Sequence, residues 1–359
     1  MTSKERISRI LRHQPVDRIG IYEHFWGDTY IEWVENQGCP SDFAGEFGFD
    51  IVECFPLNLC ARPFFKPEVV TEDEDTVTML DGNYAVLRHH KKHDSTPEHI
   101  RFEINSYEKW CELIKPQLED EELFEKRIDF VYYRNARKEC EESQKFFCYS
   151  AVNVFELMHP VTGHEEMLAA MIYDPDWVHD MCDTYARLIV KAQEILFERE
   201  GLPGGIFYSE DMGYKGAPFM SPAMYDEFIY PSHEYTMGYA KQLGLPVIVH
   251  SCGFVEPLIP GMIKAGMNAL QAMEVKAGMD LLRIYENYGD KIALIGGLDV
   301  RELCTNDLSR IDALLEKMIP VVMQKNGYIA FSDHSIPKTV DYKTYKYFVQ
   351  KALELGTYK

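Results

Sequence analysis

The sequence predicts an α/β fold: a (β/α)8 barrel with extra N-terminal helices and a β-hairpin insertion. Three observations carry the prediction. Short apolar runs alternate with helical patterns from residue 145 onward, two earlier runs bring their number to eight, and nearly every run leads into ionisable residues. Alternation of this kind specifies parallel strands joined by helices, and barrel chemistry sits where strands end. A doubly wound sheet shares the alternation, but no GxGxxG opens any of its helices.

Taken in order, Thr2 caps a first helix with Glu5 as its capping-box partner, and the helix ends before Pro15. Asp17 and Arg18 lock the start of the first strand, Ile19–Tyr22. A helical stretch at Thr29–Asn36 leads to the second strand, Asp50–Phe55. Residues 65–145 read as an insertion. Within it, Thr76–Leu80 and Tyr84–His89 flank Asp81-Gly82-Asn83, a hairpin signal, and Tyr107 to Glu142 is charged and helix-rich. Phe146–Val152 is the third strand, followed by helices near Glu165–Ile172 and Pro175–Glu200. Gly205–Tyr208 is the fourth, followed by a helix from Ser221 to Leu243. Leu245–Val249, Ala269–Met273, Ile292–Ile295 and Tyr328–Phe331 complete the eight. No repeat or Gly/Ser linker divides the chain, so one domain over 1–359 is expected.

The formal net charge of −21 argues against nucleic acid or an anionic membrane surface as a partner. Nine scattered cysteines without a CxxC pair fit a reducing compartment better than a disulfide framework. The N-terminus lacks the apolar core of a signal peptide, and no apolar run approaches a membrane span. A cytoplasmic protein is the expectation.

The richest strand end is His250-Ser251-Cys252-Gly253. Residues i and i+2 of a strand point to one side, so His250 and Cys252 aim an imidazole and a thiolate at one point. That is two-thirds of a zinc site with a position open to substrate. His334, after the eighth strand, offers the third ligand. Other strand ends converge on the same mouth: Glu23 and His24, Asn153 and Glu156, Glu210 and Asp211, Glu274, and Asp299. Met212 and Tyr214 are expected to line it. Each carboxylate also has an ordinary reading as a helix cap or loop anchor, Gly296-Gly297 reads as a tight strand-to-loop passage, and Cys54, Cys60 and Cys304 read as small apolar residues.

Several of these pieces resemble one family. They are Arg12-His13-Gln14-Pro15-Val16-Asp17-Arg18, Phe155-Glu156 before Gly163, Glu210-Asp211-Met212-Gly213-Tyr214 with Met220-Ser221-Pro222, and His250-Ser251-Cys252-Gly253. Ile292–Asp299 and Gly327–Pro337 complete the set. In order they resemble the uroporphyrinogen decarboxylase superfamily, in the branch shared with cobalamin-dependent methyltransferases. The resemblance covers nearly the whole chain and is weakest between residues 60 and 145. True decarboxylases of that superfamily hold an octacarboxylate through an Arg-rich segment after the first strand. Here Tyr22-Glu23-His24-Phe25-Trp26-Gly27-Asp28 contains no Arg, and its carboxylates would repel such a substrate.

The methyltransferase branch holds zinc through a His-x-Cys pair and a later Cys. His250 and Cys252 match the pair, and His334 stands where the branch has Cys. Two nitrogens and one sulfur leave more positive charge on zinc, which speaks against direct carry-over of coenzyme M methylation. The resemblance therefore implies a zinc-dependent methyltransferase moving a methyl group between a small ether, thioether or thiol and a corrinoid (cobalamin). No Asp-x-His-x-x-Gly signature occurs in the chain, so a separate corrinoid protein is the expected partner. Glu156, Asp211 or Glu274 would orient a ligand imidazole or complete the coordination, and Glu23, His24, Asn153, Met212 and Tyr214 would contact substrate. By family analogy the chain forms a homodimer. The alternative is a metal-free decarboxylase or lyase on a smaller substrate, with Asp211 handling the proton.

Overall fold

Eight parallel strands form the central sheet of the computed structural model, which describes residues 1–92 and 96–358. In chain order the strands are β1 (Gly20–Ile21), β2 (Ile51–Cys54), β3 (Glu68–Glu72), β4 (Thr76–Leu80), β5 (Ala85–His90), β6 (Glu98–Phe102) and β7 (Phe146–Val152). They continue as β8 (Gly205–Ser209), β9 (Gly213–Tyr214), β10 (Ala217–Pro218), β11 (Val247–Ser251), β12 (Ala269–Ala272), β13 (Ala293–Gly296) and β14 (Tyr328–Ala330). The central sheet runs β1-β14-β13-β12-β11-β8-β7-β2, with every pairing parallel. Its strands are buried along almost their full length, as parallel strands covered by helices on one face and a packed barrel interior on the other must be.

Asp50 bridges the two ends of this sheet. The Asp50 N–H donates to the Ile21 carbonyl at 2.9 Å, and the Asp50 carboxylate accepts from the Ile21 N–H at 2.9 Å. That carboxylate is fully buried, so its charge needs partners. Arg6 at 2.8 Å and Arg18 at 2.8 Å supply them, and Ser3 adds a hydroxyl at 2.6 Å. Asp17 in turn holds Arg6 at 2.7 Å. The expected lock at Asp17 and Arg18 is therefore present, with the buried Asp50 as the residue it closes on.

The first helix, Ser3–Ile10, begins at Thr2, whose hydroxyl accepts from the Glu5 N–H at 3.1 Å. The Glu5 side chain instead pairs with Arg9 at 2.9 Å. The insertion is larger than a hairpin: β3, β4, β5 and β6 form a four-stranded antiparallel meander. At its central turn Asp81 accepts from the N–H groups of Asn83 and Ala85, both at 2.8 Å, in place of a two-residue turn. Arg127 anchors the base of the insertion by donating to the carbonyls of Asn58, Cys60, Ala61 and Gln117.

One barrel helix, Val154–Thr162, escaped the sequence pattern because Pro160 lies inside it. Asn153 does not cap it through its side chain. Glu210, at the end of β8, does so from outside, accepting from the N–H groups of Phe155 at 2.9 Å and Glu156 at 3.0 Å. Glu210 also contacts His233 Nε2 at 2.6 Å, and His233 Nδ1 meets the Tyr225 hydroxyl at 2.9 Å. Among the described residues no helix is long and apolar enough to cross a membrane.

Candidate metal centre at the barrel mouth

Because β11 runs into the mouth with His250 and Ser251 as its last residues, Cys252 follows at the rim. One carboxylate oxygen of Asp211, one ring nitrogen of His250 and the Cys252 sulfur all lie within 4.8 Å of one another. His250 Nε2 sits 3.4 Å from Cys252 Sγ and 3.3 Å from Asp211 Oδ1. His250 Nδ1 is taken by Gln271 Oε1 on the neighbouring β12, where the register sets the two residues side by side. An acceptor on Nδ1 places the proton there and leaves Nε2 free as a ligand. Asp211 is held by the Cys252 N–H, which donates to Oδ1 at 2.7 Å.

The loop carrying Cys252 is fixed from behind. Glu274 accepts from the Gly253 N–H at 2.9 Å, and the Ser251 hydroxyl accepts from the Met212 N–H at 3.0 Å. Gly213 and Gly253 lie back to back: a Cβ on Gly213 would meet the Cys252 carbonyl oxygen at 2.5 Å, and one on Gly253 would meet Gly213 C at 2.3 Å. Gly253 also has φ +77°, a conformation that costs glycine nothing. Glu156 stands behind Asp211, accepting its N–H at 3.3 Å while pairing with His159 at 3.0 Å.

Electrostatics set the character of the cluster. Burial pushes the Cys252 thiol well above its ordinary value, and the neighbouring carboxylates of Asp211, Glu274 and Glu156 add to the effect. Burial likewise raises Glu156, against the pull of His159. Crowded acidic groups around a thiol are a site that a divalent cation would relieve. The donor set of imidazole nitrogen, thiolate sulfur and carboxylate oxygen suits zinc, so the residues present fit that ion.

A cavity of about 350 Å³ opens on the cluster. Asp211, His250, Cys252 and Gln271 form part of its wall, and His24, Trp26, Thr96, Phe331 and His334 contribute as well. His334, expected as the third ligand, lies in this wall with its ring against Trp26 at a centroid separation of 5.8 Å. It is not one of the three groups within 4.8 Å, a place that Asp211 takes. His24 also faces the cavity, held by Glu53 at 2.7 Å. Burial alone would raise Glu53, but His24, Tyr22 and Ser150 outweigh it and hold the carboxyl below its ordinary value.

The remaining expected residues do not line the cavity. Glu23 is buried, accepts from the N–H and hydroxyl of Ser332 at 3.0 Å each, and is pushed up to about 8 by that burial. Asn153 is buried with neither polar side-chain atom partnered, Met212 is fully buried, and Tyr214 on β9 is 66% exposed. Asp333 accepts from Val275 N–H at 2.8 Å and Val300 N–H at 2.7 Å, joining two loops, while Asp299 pairs with Arg301 at 2.7 Å. Gln271, Glu53 and His233 were missed. Gln271 alone left a trace in the sequence, as a lone amide inside an apolar run.

A methyltransferase from Methanosarcina mazei superposes with a TM-score of 0.69 over 99% of both chains, at 14% identity, which shows a common fold. A Xaa-Pro dipeptidase with bound methionine covers 63% of this chain and 60% of its own at 13% identity, but its TM-score of 0.35 carries no argument. No curated protein matches significantly in sequence. The family model of uroporphyrinogen decarboxylase matches residues 134–355, the segment that contains Asp211, His250 and Cys252. The chain belongs to the uroporphyrinogen decarboxylase family.

Proposed function

We propose that this protein is a zinc-dependent methyltransferase of that family, moving a methyl group between a small substrate and a corrinoid carried by a separate protein. The observation that supports it most is the Asp211, His250 and Cys252 cluster at the barrel mouth. The full-length likeness in fold to a methyltransferase points the same way. So does the Arg-free segment Tyr22–Asp28, which offers no counter-ions for a porphyrinogen's carboxylates.

Asp211, His250 and Cys252 would hold the ion, with His334 as the further donor in the cavity wall. Bound there, zinc supplies a Lewis acid that acidifies a thiol or polarises a methylated heteroatom. The protein's own groups prepare that site. Gln271 fixes the His250 tautomer, Glu274 fixes the Cys252 loop through Gly253, and Glu156 steadies Asp211. Trp26, Phe331 and His24 also line the cavity. A cavity of about 350 Å³ admits a small molecule but no corrin ring, so the corrinoid would meet the substrate at the mouth.

The test is metal content and methyl transfer measured together. We expect about one zinc per chain in wild type and its loss in Cys252→Ala and His250→Ala. We also expect zinc-dependent change between the cobalt(I) and methyl-cobalt(III) absorbance of a corrinoid supplied with candidate thiols or methyl ethers. Protein that binds no zinc yet releases carbon dioxide from a small carboxylic acid, unaffected by chelators and abolished by Asp211→Asn, would establish the decarboxylase reading instead.

A further inference from the structure

We propose that the site selects an uncharged methyl donor or acceptor and rejects substrates with an anionic tail. This rests on the zinc-centred methyl-transfer reading. No Lys or Arg lies among the described residues lining the cavity. Of the cations around its rim, three are tied to a carboxylate: Lys338 to Asp28 at 3.2 Å, Lys276 to Glu274 at 3.4 Å and Arg301 to Asp299 at 2.7 Å, while Lys215 is exposed on the turn between β9 and β10. On the insertion side, Lys91 pairs with Glu72 at 2.7 Å and Lys92 with Asp75 at 2.6 Å.

Behind the wall the charge is acidic. Glu53, Glu210 and Asp333 are buried carboxylates at the strand ends, and Glu274 is nearly so. Of the wall's own imidazoles, His24 is already paired with Glu53, and His334 lies against Trp26 with Asp333 next to it in the chain. Zinc would balance only the charges of its own ligands, Asp211 and Cys252. A sulfonate or carboxylate in this cavity would lose water without gaining a counter-ion, a costly exchange in a site of low dielectric. The aromatic surfaces of Trp26 and Phe331, the latter edge-on to His24 at 5.2 Å, favour a neutral apolar group instead.

Two thiols of similar size make the test: 2-mercaptoethanol, which is neutral, and 2-mercaptoethanesulfonate, which carries a fixed negative charge. Each is titrated calorimetrically into zinc-loaded protein whose metal content is measured in the same sample. The neutral thiol should bind about tenfold or more tightly, reflecting the unpaired charge of the other. Ser335, half-buried, also lines the cavity, and in Ser335→Lys, which places an ammonium there, that preference should shrink at least severalfold. Equal or tighter binding of the sulfonate to zinc-loaded wild type would overturn the inference and leave the zinc reading standing. Protein that takes up no zinc and binds neither thiol would overturn both.

Discussion

His250 carries the two contacts on which the candidate centre turns: Gln271 on Nδ1, with Asp211 and Cys252 facing Nε2. Replacing the amide acceptor by a hydrocarbon frees the ring to change tautomer and rotate. Gln271→Leu should therefore weaken zinc affinity by about 10–100-fold while leaving the fold intact, as measured by competition with a chromophoric chelator and by circular dichroism. Gln271→Glu, which keeps an acceptor, should bind zinc at least as well as wild type. The His-x-Cys pair was legible in the sequence because strand periodicity alone places both groups on one side. Gln271 was not, because its contact depends on the register between two parallel strands separated by a crossover. Asp211 was visible as a candidate, but only the path of the β8 loop, fixed by Glu156 and the Cys252 N–H, brings it to the sulfur.

Two contacts between elements lend themselves to measurement. Asp50 joins β1 and β2, and its buried carboxylate balances Arg6 and Arg18. Asp50→Asn removes that charge and should lower stability by about 3 kcal/mol, read from urea unfolding. Elsewhere β6 meets two barrel helices through stacked imidazoles. The rings of His159 and His164 lie 4.0 Å apart, and those of His99 and His164 lie 6.0 Å apart. Burial, then His159 and His99, push His164 down from 6.5 to about 4. Between those values the unfolded chain binds a proton that the folded protein does not. Stability should thus be full above pH 6.5 and decline as pH falls toward 4. His164→Phe, which keeps a ring against Phe219, should flatten that decline by roughly 2 kcal/mol in unfolding curves taken across the range. The sequence showed the hairpin at the centre of the meander but not its outer strands, since β3 is exposed throughout and lacks the alternation of a half-buried strand.

For the whole molecule, a ligand that binds only the folded state adds stability in proportion to its saturation. Zinc at 100 times its dissociation constant should add about 2.7 kcal/mol, seen as a higher Tm that a chelator reverses and that Cys252→Ala no longer shows. The barrel was legible throughout because parallel strands read as unbroken apolar runs, such as Phe146–Val152. What remained hidden were buried polar partners such as Glu53 and His233, whose neighbours lie far away in the chain. The bounds of the family match divide the cavity wall in two. Asp211, His250, Cys252, Gln271, Phe331 and His334 fall inside the family-matching segment 134–355, whereas His24, Trp26 and Thr96 lie outside it. Thr96 enters from the meander insertion. Under the proposed function, exchanging the segment that carries Thr96 would therefore alter part of the cavity wall without touching Asp211, His250 or Cys252.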